Sequence, residues 1–209
     1  MPSRKTTQNI IWFKDCSGKN FPQVGGKNAN LGEMFQLGLR VPPGFAVTTH
    51  VFDTFIGRGR VRNKIVRTLS QIPLEDMKAL GEAGRQIRDL IESTPIPKKI
   101  VEEIKEAYKK LGALCGIPDL PVAVRSSATS EDLKTASFAG QHESYLWVRG
   151  EEEVIRHILK CWASLFTDRA IAYRNQIGWP HDKVTISVGV QKMVNAKCAG
   201  VMFTIDPVI

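Results

Sequence analysis

Residues 122–141 read VAVRSSATSEDLKTASFAGQ. An apolar run, Val122-Ala123-Val124, stops in an arginine and two serines; an acidic polar segment follows, then a small-residue loop from Ser137 to Gly140. A short apolar run with such borders predicts a buried strand, VAVRSS, that delivers Arg125 at its end. An arginine there is costly to bury unless it is paired. Its planar fork suits phosphate oxygens two at a time, but Glu131 and Asp132 are close in sequence and offer an ordinary ion pair. Taken alone, the ion pair is the simpler assignment. The loop also has two readings. Small residues let backbone N–H groups approach an anion closely, and a plain β-turn has the same composition. Thr135, Ser137 and Ser144 add hydroxyl groups.

Working outward, IIWF (10–13) and FAVTT (45–49) read as strands, with a Val41-Pro42-Pro43-Gly44 turn before the second. Gly25-Gly26 breaks the chain, and a helix from Lys27 to Leu37 carries Leu31, Met34 and Phe35 on one face. Lys27 at that helix start is well placed to face a phosphate, although spacing alone describes an ordinary surface lysine. His50 to Ile56 fits a helical turn or two. Helices are predicted from Leu74 to Ile91 and from Pro97 to Leu114, the second with Val101, Ile104, Tyr108 and Leu111 on one face. ESYLWV (143–148) alternates as a strand does, and one long helix spans Glu151 to Gln176. VTISVGVQKMV (184–194) and CAGVMFTI (198–205) predict a hairpin through Asn195-Ala196-Lys197. Gln191, late in the first arm, suits either a solvent-facing strand position or a hydrogen bond to a ligand such as a purine. Helices grouped in the middle with strands at both ends argue an α+β fold. The strand-like last residues, Phe203 to Ile209, suggest a sequence cut inside a larger fold.

The 209 residues are 43% hydrophobic and 24% charged, an ordinary globular balance. No apolar stretch is long enough for a membrane span, and the polar N-terminus lacks the apolar region of a secretory signal. Cys16, Cys115, Cys161 and Cys198 form no CxxC pair or Cys/His cluster, which argues against zinc and for free thiols in a reducing cytoplasm. The four histidines, His50, His142, His157 and His181, are far apart, and no metal set is expected of them. The net charge of +8 is dispersed. Its densest set, Arg58, Arg60, Arg62, Lys64 and Arg67, reads as a solvated helix face, since no aromatic residues interleave to stack bases. A nucleic-acid partner is therefore not expected. No Walker A loop and no GxGxxG is present.

Four stretches together resemble a family. VGGKNANLGEM (24–34), VPPGFAVTT (41–49), AVRSSATSEDLKTASFAGQHESYL (123–146) and VQKMVNAKCAGVMFTIDP (190–207) are similar to the N-terminal nucleotide-binding domain shared by phosphoenolpyruvate synthase, pyruvate phosphate dikinase and rifampicin phosphotransferase. The resemblance implies an ATP-grasp fold, here the first lobe and the start of the second over residues 1–209, with a helical insert at about 57–118. It implies ATP as ligand, and a β-phosphoryl group passed to a histidine on another domain or subunit. Lys27 and Arg125 match phosphate contacts, Gly140 the loop glycine that covers the phosphates, and Ser144 a family threonine near the nucleotide. Gln191 matches the glutamine bordering adenine, with Lys192 and Met193 adding backbone contacts. The Mg2+ ligands, the phosphohistidine domain and the acceptor domain are expected outside this chain, so it should be inactive alone. A non-catalytic interaction subunit that keeps the fold is the alternative.

Overall fold

Apolar side chains at Ile11, Phe45, Val47, Val122, Val124, Val188 and Val190 are all buried, and they belong to one antiparallel sheet covered on both faces. A computed structural model describes residues 8–57, 61–73, 76–129, 132–133, 136–137 and 143–201. In chain order come β1 (Ile10–Trp12), 3-10 turns at Phe13–Asp15 and Gly18–Asn20, α1 (Phe21–Gln36), β2 (Gly44–Val47) and α2 (Thr49–Gly57). Three helices follow: α3 (Val61–Ser70), α4 (Met77–Ser93) and α5 (Lys98–Cys115). Then come β3 (Val122–Ala128), β4 (Asp132–Leu133), β5 (Ala136–Ser137), β6 (Ser144–Val148) and α6 (Glu151–Ala163). A 3-10 turn at Ser164–Phe166, α7 (Asp168–Gln176) and β7 (Ile186–Lys192) complete the described elements.

The five-stranded sheet has the order β1-β2-β7-β3-β6, every neighbour antiparallel, and β4 pairs with β5 as a separate ribbon. One face carries the large core, in which Phe52, Phe55, Ile104, Trp162 and Phe166 from the helices meet Val122, Val124, Val188 and Val190 from the sheet. The other face carries α1 over a small core of Ile11, Phe13, Cys16, Val24, Ala29 and Ala46. The mixed α and β content agrees with the expectation.

Several local expectations change. The run 184–194 is not the first arm of a hairpin: β7 lies between β2 and β3, and described residues 193–201 form no strand. Residues 202–205 of the expected partner arm lie outside the described residues. The physical reason is visible in β7 itself, whose residues Ile186 to Gln191 are all buried; a strand covered on both faces belongs inside a sheet. The strand opened by Val122 does not end at Arg125 but runs on to Ala128. Its serines are buried yet satisfied, Ser126 Oγ donating to the Glu143 carbonyl at 3.3 Å and Ser127 Oγ accepting from Asn28 N at 3.2 Å.

The helix predicted over 151–176 is two helices. Ser164–Phe166 tightens into a 3-10 turn, and the Thr167 hydroxyl accepts from Ala170 N at 3.3 Å to start α7. In α1 the buried residues include Val24, Asn28, Ala29 and Gly32, whereas Met34 and Phe35 are exposed. Small residues let the helix come close: a Cβ on Gly32 would overlap the Cys16 carbonyl. The basic segment forms α3, which buries Val61 and Ile65 and leaves Lys64 and Arg67 exposed; Arg58 and Arg60 lie outside the described residues.

Candidate functional site

Arg125 is the one exposed residue of β3, with buried residues on either side of it in the strand. Register places it opposite Gly189 of β7 and Ser144 of β6. Residues opposite one another in an antiparallel pair share a face, so Ser144 stands beside Arg125 on the face that α1 covers. No hydrogen bond or ion pair joins the Arg125 guanidinium to another side chain among the described residues. Of the two ion-pair partners suggested by sequence, Glu131 lies outside the described residues, as does the side chain of Asp132.

The start of α1 brings Lys27 to the same place. Gly25 has φ 73°, a left-handed conformation that breaks the helix and lets it restart over β3. A Cβ at Gly25 would overlap the Ser127 carbonyl oxygen, so chain and strand are in direct contact here. Lys27 is exposed, and its Nζ lies 3.5 Å from the Ser126 carbonyl oxygen, next in the chain to Arg125.

Gln191 completes the set from β7. It is 7% exposed, which settles against the solvent-facing alternative. Its neighbours across the sheet, Gly44 and Ala123, are small. Its Nε2 donates to the Pro42 carbonyl at 3.1 Å, which fixes the amide and leaves Oε1 as the free acceptor. A cavity of about 270 Å³ is lined by Lys27, Arg125 and Gln191 together with an apolar wall of Phe13, Leu31 and Met34.

Thus three residues chosen from sequence line one cavity. Ser144 is adjacent to it through its register beside Arg125. Lys192 and Met193 follow Gln191, but their N–H groups are engaged inside the protein, donating to the Pro43 and Pro121 carbonyls at 2.9 Å each. Gly140 lies outside the described residues, as do Thr135 and His142. Among the described residues, no group of three or more His, Cys, Asp or Glu side chains is arranged to hold a metal.

Sequence reasoning passed over Phe13, Asn28 and Gly189, which also line the cavity. A glycine inside the otherwise bulky run TISVGVQ is the signal that was available, since such a glycine marks close approach of another group. The Cβ it lacks would meet Asn28 Oδ1. Chemically, two cations, one amide acceptor and an apolar wall suit an anion joined to a flat apolar body.

The AMP/ATP-binding domain of pyruvate phosphate dikinase matches residues 21–209. The chain is 48% identical over 98% of its length to a probable phosphoenolpyruvate synthase of Staphylothermus marinus, and covers 25% of that protein. It is 48% identical over 95% of its length to a probable phosphoenolpyruvate synthase of Methanocaldococcus jannaschii, covering 17%. To the phosphoenolpyruvate synthase of Helicobacter pylori it is 47% identical over 94% of its length, again covering 25%. The chain thus spans a quarter or less of the length of these relatives. The matched span contains Lys27, Arg125 and Gln191 and every element from α1 to β7, and the chain belongs to the family of the pyruvate phosphate dikinase AMP/ATP-binding domain.

Proposed function

We propose that this chain is the ATP-binding portion of a phosphoenolpyruvate-synthase-like phosphotransferase with an ATP-grasp fold. The observation that carries the reading is the convergence of Lys27, Arg125 and Gln191, distant in sequence, on one cavity. Lys27 and Arg125 hold phosphate oxygens from two sides, and Arg125 does so with two parallel donors. Gln191 Oε1 accepts from an exocyclic amine of adenine, and Phe13, Leu31 and Met34 shield the base from water. Lys192 and Met193 border the base with their backbone, Ser144 adds a hydroxyl beside Arg125, and Gly140, outside the described residues, is assigned a phosphate contact by the family resemblance. The chain contributes placement and charge, which is most of what phosphoryl transfer asks of a protein.

Mg2+ accompanies the nucleotide and neutralises phosphate charge. Its protein ligands lie outside this chain, as the family resemblance implies; the described residues bring the two cations Lys27 and Arg125 to the cavity. The β-phosphoryl group passes to a histidine on a separate domain or subunit, and the helices between residues 57 and 118 form an insert in the N-terminal part of the domain. The relatives' greater length leaves room for the further domains in the same chain. The described residues include no helix long and apolar enough to cross a membrane, and a cytoplasmic site of action fits an ATP-dependent phosphotransferase.

Calorimetric titration with ATP, with and without Mg2+, tests the assignment. Lys27→Ala and Arg125→Ala are each expected to bind about tenfold or more weakly, the scale of a lost charge-assisted hydrogen bond. Equal affinity in the native chain and both variants would remove the site.

A further inference from the structure

The residue after Lys27 is buried, polar and has no part in the reading above. Asn28 is 2% exposed, on a helix face otherwise made of Val24, Ala29 and Gly32. A buried amide is costly unless its hydrogen bonds are made. Those of Asn28 reach three places. Its backbone N–H donates to Ser127 Oγ on β3 at 3.2 Å. Its side-chain Nδ2 donates to the Val24 carbonyl at 2.9 Å and to Ser187 Oγ on β7 at 3.2 Å. Ser187 Oγ in turn donates to the Val47 carbonyl of β2 at 2.8 Å. Ser127 and Ser187 are 0% exposed and opposite one another in the sheet. The first turn of the restarted helix is therefore bolted by hydrogen bonds across β3, β7 and β2.

Apolar contact would hold a helix on a sheet without fixing its rotation, because the hydrophobic effect is non-directional. Hydrogen bonds are directional. Successive helical residues point about 100° apart, so pinning Asn28 against the sheet also sets the direction of Lys27. The other anchor, Ser127, lies two residues from Arg125 on the same strand. One bolt thus fixes both cations of the cavity relative to each other. Its fit depends on Gly189, where a Cβ would overlap Asn28 Oδ1.

We infer that Asn28, held by Ser127 and Ser187, is a positioning residue for polyphosphate binding, setting Lys27 against Arg125. This rests on the ATP-site reading above. The test is a double-mutant cycle on the chain: native, Asn28→Ala, Lys27→Ala and the double variant, titrated with ATP and followed by NMR. Thermal unfolding without ligand reports folding of each. Asn28→Ala is expected to weaken ATP binding about tenfold in the native background. With Lys27 already alanine, it should cost less than about twofold, since the group it positions is gone. A purely structural role would give the same loss in both backgrounds, and that result overturns the inference. Should Asn28→Ala not fold, Ser127→Ala, which removes a single hydroxyl, takes its place in the cycle with the same expectations. Arg125→Ala separates the two readings. If Arg125→Ala and Lys27→Ala bind ATP as the native chain does, or the native chain binds none, the site assignment fails and the inference with it. If both lose binding while Asn28→Ala does not, only the inference fails.

Discussion

Gly25 and Gly38 share a positive φ, 73° and 79°, and have quite different surroundings. A Cβ at Gly25 would overlap the Ser127 carbonyl, while one at Gly38 would have nothing within 4 Å. Strain is therefore common to both, and crowding belongs to Gly25 alone. Gly38→Ala should lose about 1 kcal/mol through the left-handed conformation. Gly25→Ala should lose that and about 1–3 kcal/mol more, because backbone of a buried strand is slow to yield. Urea unfolding of both variants compares them directly. Equal losses would show that β3 shifts freely away from α1, and with it that the spacing of Lys27 and Arg125 is soft. The glycine pair was legible in sequence as a chain break; the carbonyl pressed against it, 102 positions downstream by residue number, was not.

At the scale of elements, the junction of α6, α7 and β7 is held by a buried cation. Arg174 is 1% exposed; it donates to the Leu165 carbonyl at 2.5 Å and to His181 Nδ1 at 3.0 Å, and lies 5.4 Å from the centre of the Phe166 ring. Burial lowers its pKa to about 10, so it is still charged at neutral pH. His181 must then be neutral, with Nδ1 accepting and Nε2 facing Asn175 Oδ1 at 2.8 Å. Burial first, and the Arg174 charge second, push His181 down to about 4, against a smaller pull upward from Asp182. Between the ordinary value of 6.5 and about 4, the unfolded chain takes up a proton that the folded chain refuses. Stability should fall as pH drops through that window and be independent of this group above it. Urea midpoints against pH would show a shallower decline for His181→Gln than for the native chain; identical profiles would mean that His181 is protonated in place. Periodicity could not reveal this junction. Leu165 and Phe166 keep the apolar spacing of a continuous helix while the chain tightens into a 3-10 turn, and only Thr167, a capping residue, marks the restart. The strand run 184–194 was likewise legible as a strand but not its neighbours, because pairing with β2 and β3 is decided by segments about 140 and 60 residues away. The same limit applies at the site. Lys27, Arg125 and Gln191 stand in recognisable stretches, whereas Asn28 and Ser127 acquire their meaning only when α1 and β3 meet.

The molecule as a whole has two unequal halves about its sheet. The helical side packs Phe52, Phe55, Ile104, Trp162 and Phe166 into a broad core, and the α1 side relies on a handful of apolar residues plus the Asn28 hydrogen bonds. Fewer apolar contacts mean a lower free energy of local opening, so the α1 layer should open without the rest. The cysteines report on this directly. Cys16 lies under α1 and Cys161 in the large core, both 0% exposed, while Cys198 is exposed. Burial raises Cys16 to about 12 and raises Cys161 as well, so neither reacts in place and each labels only when its layer opens. Alkylation under native conditions should modify Cys198 at once, Cys16 slowly and Cys161 at the rate of global unfolding. ATP that bridges Lys27 on α1 and Arg125 on β3 would hold the layer shut, and should slow Cys16 more than Cys161. Equal rates for Cys16 and Cys161 would mean that the molecule opens as a unit. A Cys16 rate indifferent to ATP would mean that the nucleotide does not span the two elements. If Cys16 alone is protected, the thin layer that carries Lys27 is also the part of the fold that the ligand stabilises.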